Sequence, residues 1–278
     1  MSIQSLEYAI LLLLVFAAYW FMASRFQNLL LLAASYIFYS YIDPRMAFLL
    51  GGYTAVSYLA ARGIEENTPN ARRYLVLAIA GLFGTLAFFK YAGFFVDSAT
   101  DALSAVGLAE FDTTLKIILP VGISFYTFQS LGYVIDVYMK RTHARQSFVD
   151  TALFISFFPQ LIAGPIERAV TLFPQFERRR NFDANRTVSG ISLLTWGLFK
   201  KLVIADNVGK IVDNIFSTAQ PGAAMLWVGV MAFGIQILAD FSGYTDIARG
   251  SARLLGIELS LNFKHPWLAY SPADFWRR

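Results

Sequence analysis

The sequence has no cysteine and only two histidines in 278 residues, and 15% of it is charged, against about 25% in an ordinary soluble domain. Without thiols there are no disulfides, thiolate zinc sites, iron–sulfur clusters or cysteine nucleophiles. His143 and His265 lack carboxylate neighbours suited to a metal site, so neither a metal nor a bound cofactor is expected. Soluble-enzyme signatures are also missing. There is no G-x-S-x-G elbow and no H-E-x-x-H, and Gly209-Lys210 is followed by Ile211 where a phosphate-binding loop needs Ser or Thr. Neither histidine is followed by Asp five places on; Phe148 and Tyr270 stand there.

What is present is apolar. Hydrophobic residues make up 56% of the chain, with 26 Phe, 14 Tyr and 5 Trp, and the mean hydropathy is +0.51. A water-soluble globule cannot bury that much, and disorder is excluded by the same numbers. The class is an all-α polytopic membrane protein, expected as one membrane domain over residues 1–278. The net charge of +4 comes from short basic clusters between apolar runs. That pattern signals topology rather than nucleic-acid binding.

Apolar segments fall at 6–23, 26–42, 46–61, 74–96, 117–139, 148–166, 188–204 and 223–239. Seven to nine such segments are expected, some of them re-entrant or interfacial. No Lys or Arg precedes the first, so it reads as a retained span rather than a leader. Arg25, the arginines at 62, 72 and 73 and the cluster Lys140, Arg141 and Arg145 read as cytoplasmic. The loop with Asp97, Asp101, Glu110 and Asp112 reads as external, as does the amino terminus. A full crossing by 148–166 would leave Arg168, Arg178, Arg179, Arg180 and Arg186 outside. We therefore expect this segment to enter and return on one side, broken at Pro159, Gly164 and Pro165. Irregular backbone at that depth belongs inside protein or beside a cavity.

Two polar stripes stand out. Gln129, Tyr133, Asp136 and Lys140 share a helical face by spacing, with an Asp136–Lys140 pair expected. Gln236, Asp240 and Gly243 form the second, near a buried polar cavity. Asp240 and Asp246 lie on different faces and cannot form an acid dyad. Asp246, Arg249 and Arg253 read as one ion-pair cluster at a helix end. His143 reads as a solvated loop residue and His265 as an interfacial one.

Several ordered blocks then resemble one family. They are Pro120-Val-Gly-Ile-Ser-Phe-Tyr-Thr-Phe-Gln129, Phe157-Phe-Pro-Gln-Leu-Ile-Ala-Gly-Pro-Ile166, Trp196-Gly-Leu-Phe-Lys-Lys-Leu-Val-Ile-Ala-Asp206, Asp240-Phe-Ser-Gly-Tyr-Thr-Asp-Ile-Ala248 and Asn262-Phe-Lys-His-Pro-Trp267, with Ser271-Pro-Ala-Asp-Phe-Trp-Arg-Arg278 at the end. The chain resembles the membrane-bound O-acyltransferases, in particular the bacterial alginate O-acetyltransferase branch. The resemblance implies a partial ring of spans around a thinned centre, with a cytosolic funnel for the donor. It also implies a Trp-His-x-Ser-Leu-Ser block directly after Phe-Trp-Arg-Arg and a further histidine beyond. Since the sequence stops at Arg278, it reads as an amino-terminal portion whose catalytic histidines lie past that residue.

On this reading Gln160 and Pro165 line the re-entrant element, and Gln129, Asp240, Tyr244, Asn262 and His265 are further channel or supporting polar groups. Lys200, Lys201 and the arginines of 168–186 would face the cytosol and attract an anionic donor. The implied activity is transfer of acetyl groups from acetyl-CoA or another cytosolic donor across the bacterial inner membrane, to an exported polysaccharide such as alginate. Periplasmic O-acetylation proteins and membrane lipids are the implied partners. A transporter using intramembrane Asp136 and Asp240 is the alternative, and a non-catalytic membrane scaffold is a third reading.

Overall fold

A computed structural model describes residues 2–41, 43–105, 118–162 and 164–278. Glu110, Asp112 and the start of the expected 117–139 segment lie outside these. Among the described residues every regular element is helical.

Helix α1 (Leu6–Tyr19) starts where the Ser5 hydroxyl accepts from the Tyr8 amide. It stops short of the expected boundary, and α2 (Ser24–Ser40) follows after a turn. Helix α3 (Pro44–Glu66) is 23 residues long, not the 16 read from its apolar run. The difference lies at its ends. Asp43 caps it and Pro44 takes the first helical position, where the missing amide costs nothing. At the far end Arg62 and Glu66 pair one turn apart. It spans about 34 Å, enough to cross a bilayer core. Helix α4 (Ala71–Ala105) follows.

Helix α5 (Ile123–Tyr138) carries the first polar stripe and is buried along most of its length. The re-entrant element packs on it. Its first limb is α6 (Phe148–Ser156), capped by Ser147. Pro159 then prevents the helix from continuing, and the chain turns where Leu161 meets Gly122 at the start of α5. The return limb runs extended to α7 (Ala169–Glu177). It passes Gln129 first, through a Glu167 amide to Gln129 Oε1 bond of 2.9 Å. Arg168 then reaches Asp136, and Glu177 meets Arg145 just beyond the end of α5. Both limbs therefore open at the same end of α5. Aromatic rings fill the space between them: Phe154 stacks on Phe173 at 4.6 Å, with Tyr133 against both.

The rest forms a second wall. Helix α8 (Ala184–Leu198) runs through a π-helical stretch (Phe199–Ala205) into α9 (Asp206–Ser217), and α10 (Ala223–Leu254) packs against all three. Helices α8 and α10 meet through glycines seven residues apart on each, Gly190 and Gly197 against Gly243 and Gly250. A Cβ on Gly197 would lie 2.7 Å from the Gly243 carbonyl oxygen, so the two backbones touch, as small residues allow in membranes. The short helix α11 (Pro272–Arg277) closes the described chain.

Among the described residues three helical stretches are long and apolar enough to cross a membrane: 68–104, 184–217 and 223–254. Large apolar side chains such as Phe48, Trp227 and Met231 point outward, as a lipid-facing surface requires.

Arg277 and Arg278 both bind the Asp274 carboxylate at 2.7 Å and hold its pKa down at about 2. A depressed carboxylate pKa stabilises the contact above the ordinary range near 3.9 and loses it as pH falls through the lowered value. The carboxyl ¹³C shift of Asp274 should thus titrate near pH 2, and Arg277→Gln should move that midpoint upward.

Candidate functional site

Most of the residues singled out by sequence gather in two places, bridged by aromatic rings. Gln129, Gln160 and Pro165 meet in the crook of the re-entrant hairpin, with Tyr126 and Phe125 beside them. The space between them is only about 10 Å³, one water at most. Gln129 ties the limbs together: its Nε2 donates to the Phe154 carbonyl on one, and its Oε1 accepts from Glu167 on the other. Gln160 is buried, and Gly164 turns tightly against its backbone.

Glu167 is a site residue that sequence reading passed over. It is 5% exposed, and its carboxylate accepts from the Ser260 amide and, at 2.6 Å, from the Ser260 hydroxyl. The hairpin is thereby tied to the extended stretch that leads to Asn262 and His265. The only local signal was a charge directly after the Gly-Pro-Ile turn. Glu167→Ala removes two hydrogen bonds to a charged group and frees this stretch. We expect a loss of about 2–3 kcal/mol, read as a lower thermal midpoint, with Glu167→Gln recovering part of it.

The second place is the wall between the π-helical stretch and α10. Lys201 Nζ lies 2.7 Å from Asp240 and 2.8 Å from Asp206, over the Tyr244 ring. Lys200 Nζ lies 2.6 Å from Asp246, which also takes Arg249 at 3.3 Å. The neighbouring lysines thus each hold one of the two aspartates, which do not pair with each other. Lys200 and Lys201, expected as charges that attract a donor, are each paired with an aspartate of α10. The expected Asp246–Arg249–Arg253 cluster is divided, because Arg253 binds Glu258 and Ser189 instead.

The Asp136–Lys140 pair is likewise replaced. Helix α5 ends at Tyr138, and Lys140 turns away with φ 57°. Asp136 is paired instead with Arg141 at 3.4 Å and Arg168 at 3.5 Å.

Phe241 joins the two places, with Phe125 of α5, which lines the crook, on one side and Phe263 on the other. Beyond Phe263, His265 lines a cleft of about 400 Å³ with Trp196, Lys200, Ser242 and Trp267. His265 takes a left-handed backbone conformation and is exposed, as is Asn262. His143 lies at the far end of the hairpin, 93% exposed and 2.6 Å from Glu65. Neither histidine is enclosed with an orienting partner, as a general base would be. Among the described residues, then, the site is a frame in which a narrow polar crook is joined through Phe241 to a wall of paired charges.

Sequence comparison places this frame. The sequence model of the MBOAT, membrane-bound O-acyltransferase family matches residues 140–278, which covers the hairpin, the α8–α10 wall and the 258–267 stretch. A probable alginate O-acetylase, AlgI, of Pseudomonas aeruginosa is 37% identical over 265 residues, covering 94% of this chain and 50% of that protein. A peptidoglycan O-acetyltransferase of Helicobacter pylori is 35% identical, over 91% of this chain and 53% of its own length. A teichoic acid D-alanyltransferase of Streptococcus thermophilus is 27% identical over 167 residues, 57% of this chain and 40% of its own length. The chain spans about half the length of the curated relatives it matches. The frame that the sequence marked out, the family match over most of it and the relatives aligned along nearly all of the chain lead to one assignment: the chain belongs to the membrane-bound O-acyltransferase family.

Proposed function

We propose that this chain serves an O-acyltransferase that moves acetyl groups from a cytosolic donor, such as acetyl-CoA, across the inner membrane for O-acetylation of an exported polysaccharide. Alginate is the first acceptor to test. The observation that carries this reading is the family match over the segments that build the hairpin and the charged wall. Support for acetyl and a polysaccharide comes from the relatives named as alginate O-acetylase and peptidoglycan O-acetyltransferase.

Acyl transfer to a hydroxyl needs a base to take its proton and donors for the developing oxyanion. The frame described here supplies positioning. We assign the base to a histidine in the part of the relatives' length that this chain does not cover. On this reading the hairpin crook lies beside the acyl path, and the amino terminus is periplasmic. The donor then enters at the end of α5 that carries Arg141, Arg145 and Arg168, and periplasmic partner proteins take the acetyl group onward. The transporter alternative rests on broken helices and intramembrane Asp136 and Asp240. Both carboxylates carry cationic partners, which counts against their use as free proton carriers.

The test is complementation. The complete reading frame is expressed in an alginate-producing strain deleted for its own O-acetylase, and ester-linked acetyl on the exported polymer is measured. Restored acetyl supports the reading. No acetyl on alginate, or on peptidoglycan in a matched strain, despite folded protein in the membrane, would overturn it.

A further inference from the structure

The arginines between α7 and α8 do not all behave as solvated topology charges. Arg178, Arg179, Arg180 and Arg186 line a cavity of about 650 Å³ beside α1, with Phe182 and Gly256. Arg180 is 7% exposed. One of its nitrogens donates to Asn28, and its plane lies 5.5 Å from the Tyr19 ring. Its Nε and Nη1 are buried with no protein partner, and among the described residues it forms no ion pair. A desolvated guanidinium without an anion is costly. The two carboxylates lining the cavity are engaged elsewhere: Asp183 caps α8, and Glu258 is held by Arg253. Arg178 and Arg179 have no carboxylate partner among the described residues. The cavity therefore carries a net excess of positive charge.

A second space adjoins it. A groove of about 300 Å³ runs between α1 and α8, almost wholly apolar, lined by Leu12, Leu13 and Phe16 on one side and Ile191, Leu194 and Leu198 on the other. The two spaces share a wall. The Phe16 ring of the groove meets the Phe182 ring of the cavity, and Trp20 packs on Phe182 at 5.6 Å. Thr187 lines the groove and its neighbour Arg186 lines the cavity. An aromatic step between an apolar slot and a cationic cup is the profile of a membrane interface. A soluble anion would use the cup alone, whereas a phospholipid uses both.

We propose that this chain holds an anionic membrane phospholipid beside α1, its phosphate in the arginine cavity and one acyl chain in the adjoining groove. The phosphate meets Arg178, Arg179 and Arg186 at the cavity wall and ties the 178–186 loop to α1. A basic residue near an anionic headgroup contributes about 1 kcal/mol, or about five-fold in affinity.

The test uses the protein from its complete reading frame, stripped of lipid in detergent. Thermal stability and bound lipid by native mass spectrometry are followed as phosphatidylglycerol, phosphatidylcholine, inorganic phosphate or coenzyme A is added. Phosphatidylglycerol should bind and raise the midpoint most. The exposed-site variant Arg178→Gln/Arg179→Gln should weaken it about five-fold per arginine, and Ala9→Trp, which fills the groove, should weaken it independently of charge. Equal protection by phosphatidylcholine, or arginine variants that bind phosphatidylglycerol as tightly as the parent, would overturn the proposal. So would protection by phosphate or coenzyme A that Ala9→Trp leaves unchanged, which would make the cup a soluble-anion site.

Discussion

Gly250→Val should break the α8–α10 wall. A Cβ at that position would lie 2.7 Å from the Leu194 amide nitrogen and 2.8 Å from the Gly190 carbonyl oxygen. These are backbone atoms, so no rotamer change relieves the clash, and the helices must separate. Overpacking of this kind costs about 3 kcal/mol, at the upper end for a core substitution. Separation would also pull Lys200 and Lys201 from Asp246 and Asp240. The readout is the fraction of detergent-purified protein that stays monodisperse after heating, because membrane proteins of this size often unfold irreversibly. Gly132→Ala is the control. A Cβ there meets nothing within 4 Å, and the change should be neutral or stabilising by up to about 1 kcal/mol.

Lys201→Met should produce the largest loss of activity among the charged-site changes. It leaves Asp240 and Asp206 facing each other without the cation that joins the π-helical stretch to α10. The site residues on α10 then lose a fixed position relative to α9. Displacement by about 1 Å can cost about 100-fold in turnover, and that is the loss expected in acetyl transfer. Asp206 and Asp240 are each more than a third exposed, so the stability loss should be smaller, about 1–2 kcal/mol. A large drop in rate beside a small drop in midpoint separates positioning from misfolding. Lys201→Arg should recover much of the rate.

The hairpin was legible because its signals are local. Pro159, Gly164 and Pro165 break a helix wherever they stand, and the arginines downstream fixed the side to which the chain returns. The lengths of α1 and α3 were less legible, since hydropathy marks where a helix is greasy rather than where it is capped. Pro44 and Glu66 lie outside the apolar run but inside α3. The ion pairs were misread for a different reason. Helical spacing assigned Asp136 to Lys140, yet the helix ends before that spacing is completed, and Arg141 and Arg168 arrive from other segments. The pairing of Lys200 and Lys201 with α10 was not legible because Asp246 and Asp240 lie some forty residues away. Glycine spacing of seven on two helices was visible in the sequence, but only their packing shows that the two sets face each other.

The central claim is that this frame positions an acyl transfer. The most direct measurement is transfer of labelled acetyl from acetyl-CoA to a polysaccharide hydroxyl by the purified protein from its complete reading frame, reconstituted in proteoliposomes. The account predicts alkali-labile label on the acceptor with the parent protein and about 100-fold less with Lys201→Met. Folded protein that transfers no acetyl to alginate or peptidoglycan fragments, but shows proton-coupled uptake abolished by Asp240→Asn, would contradict it.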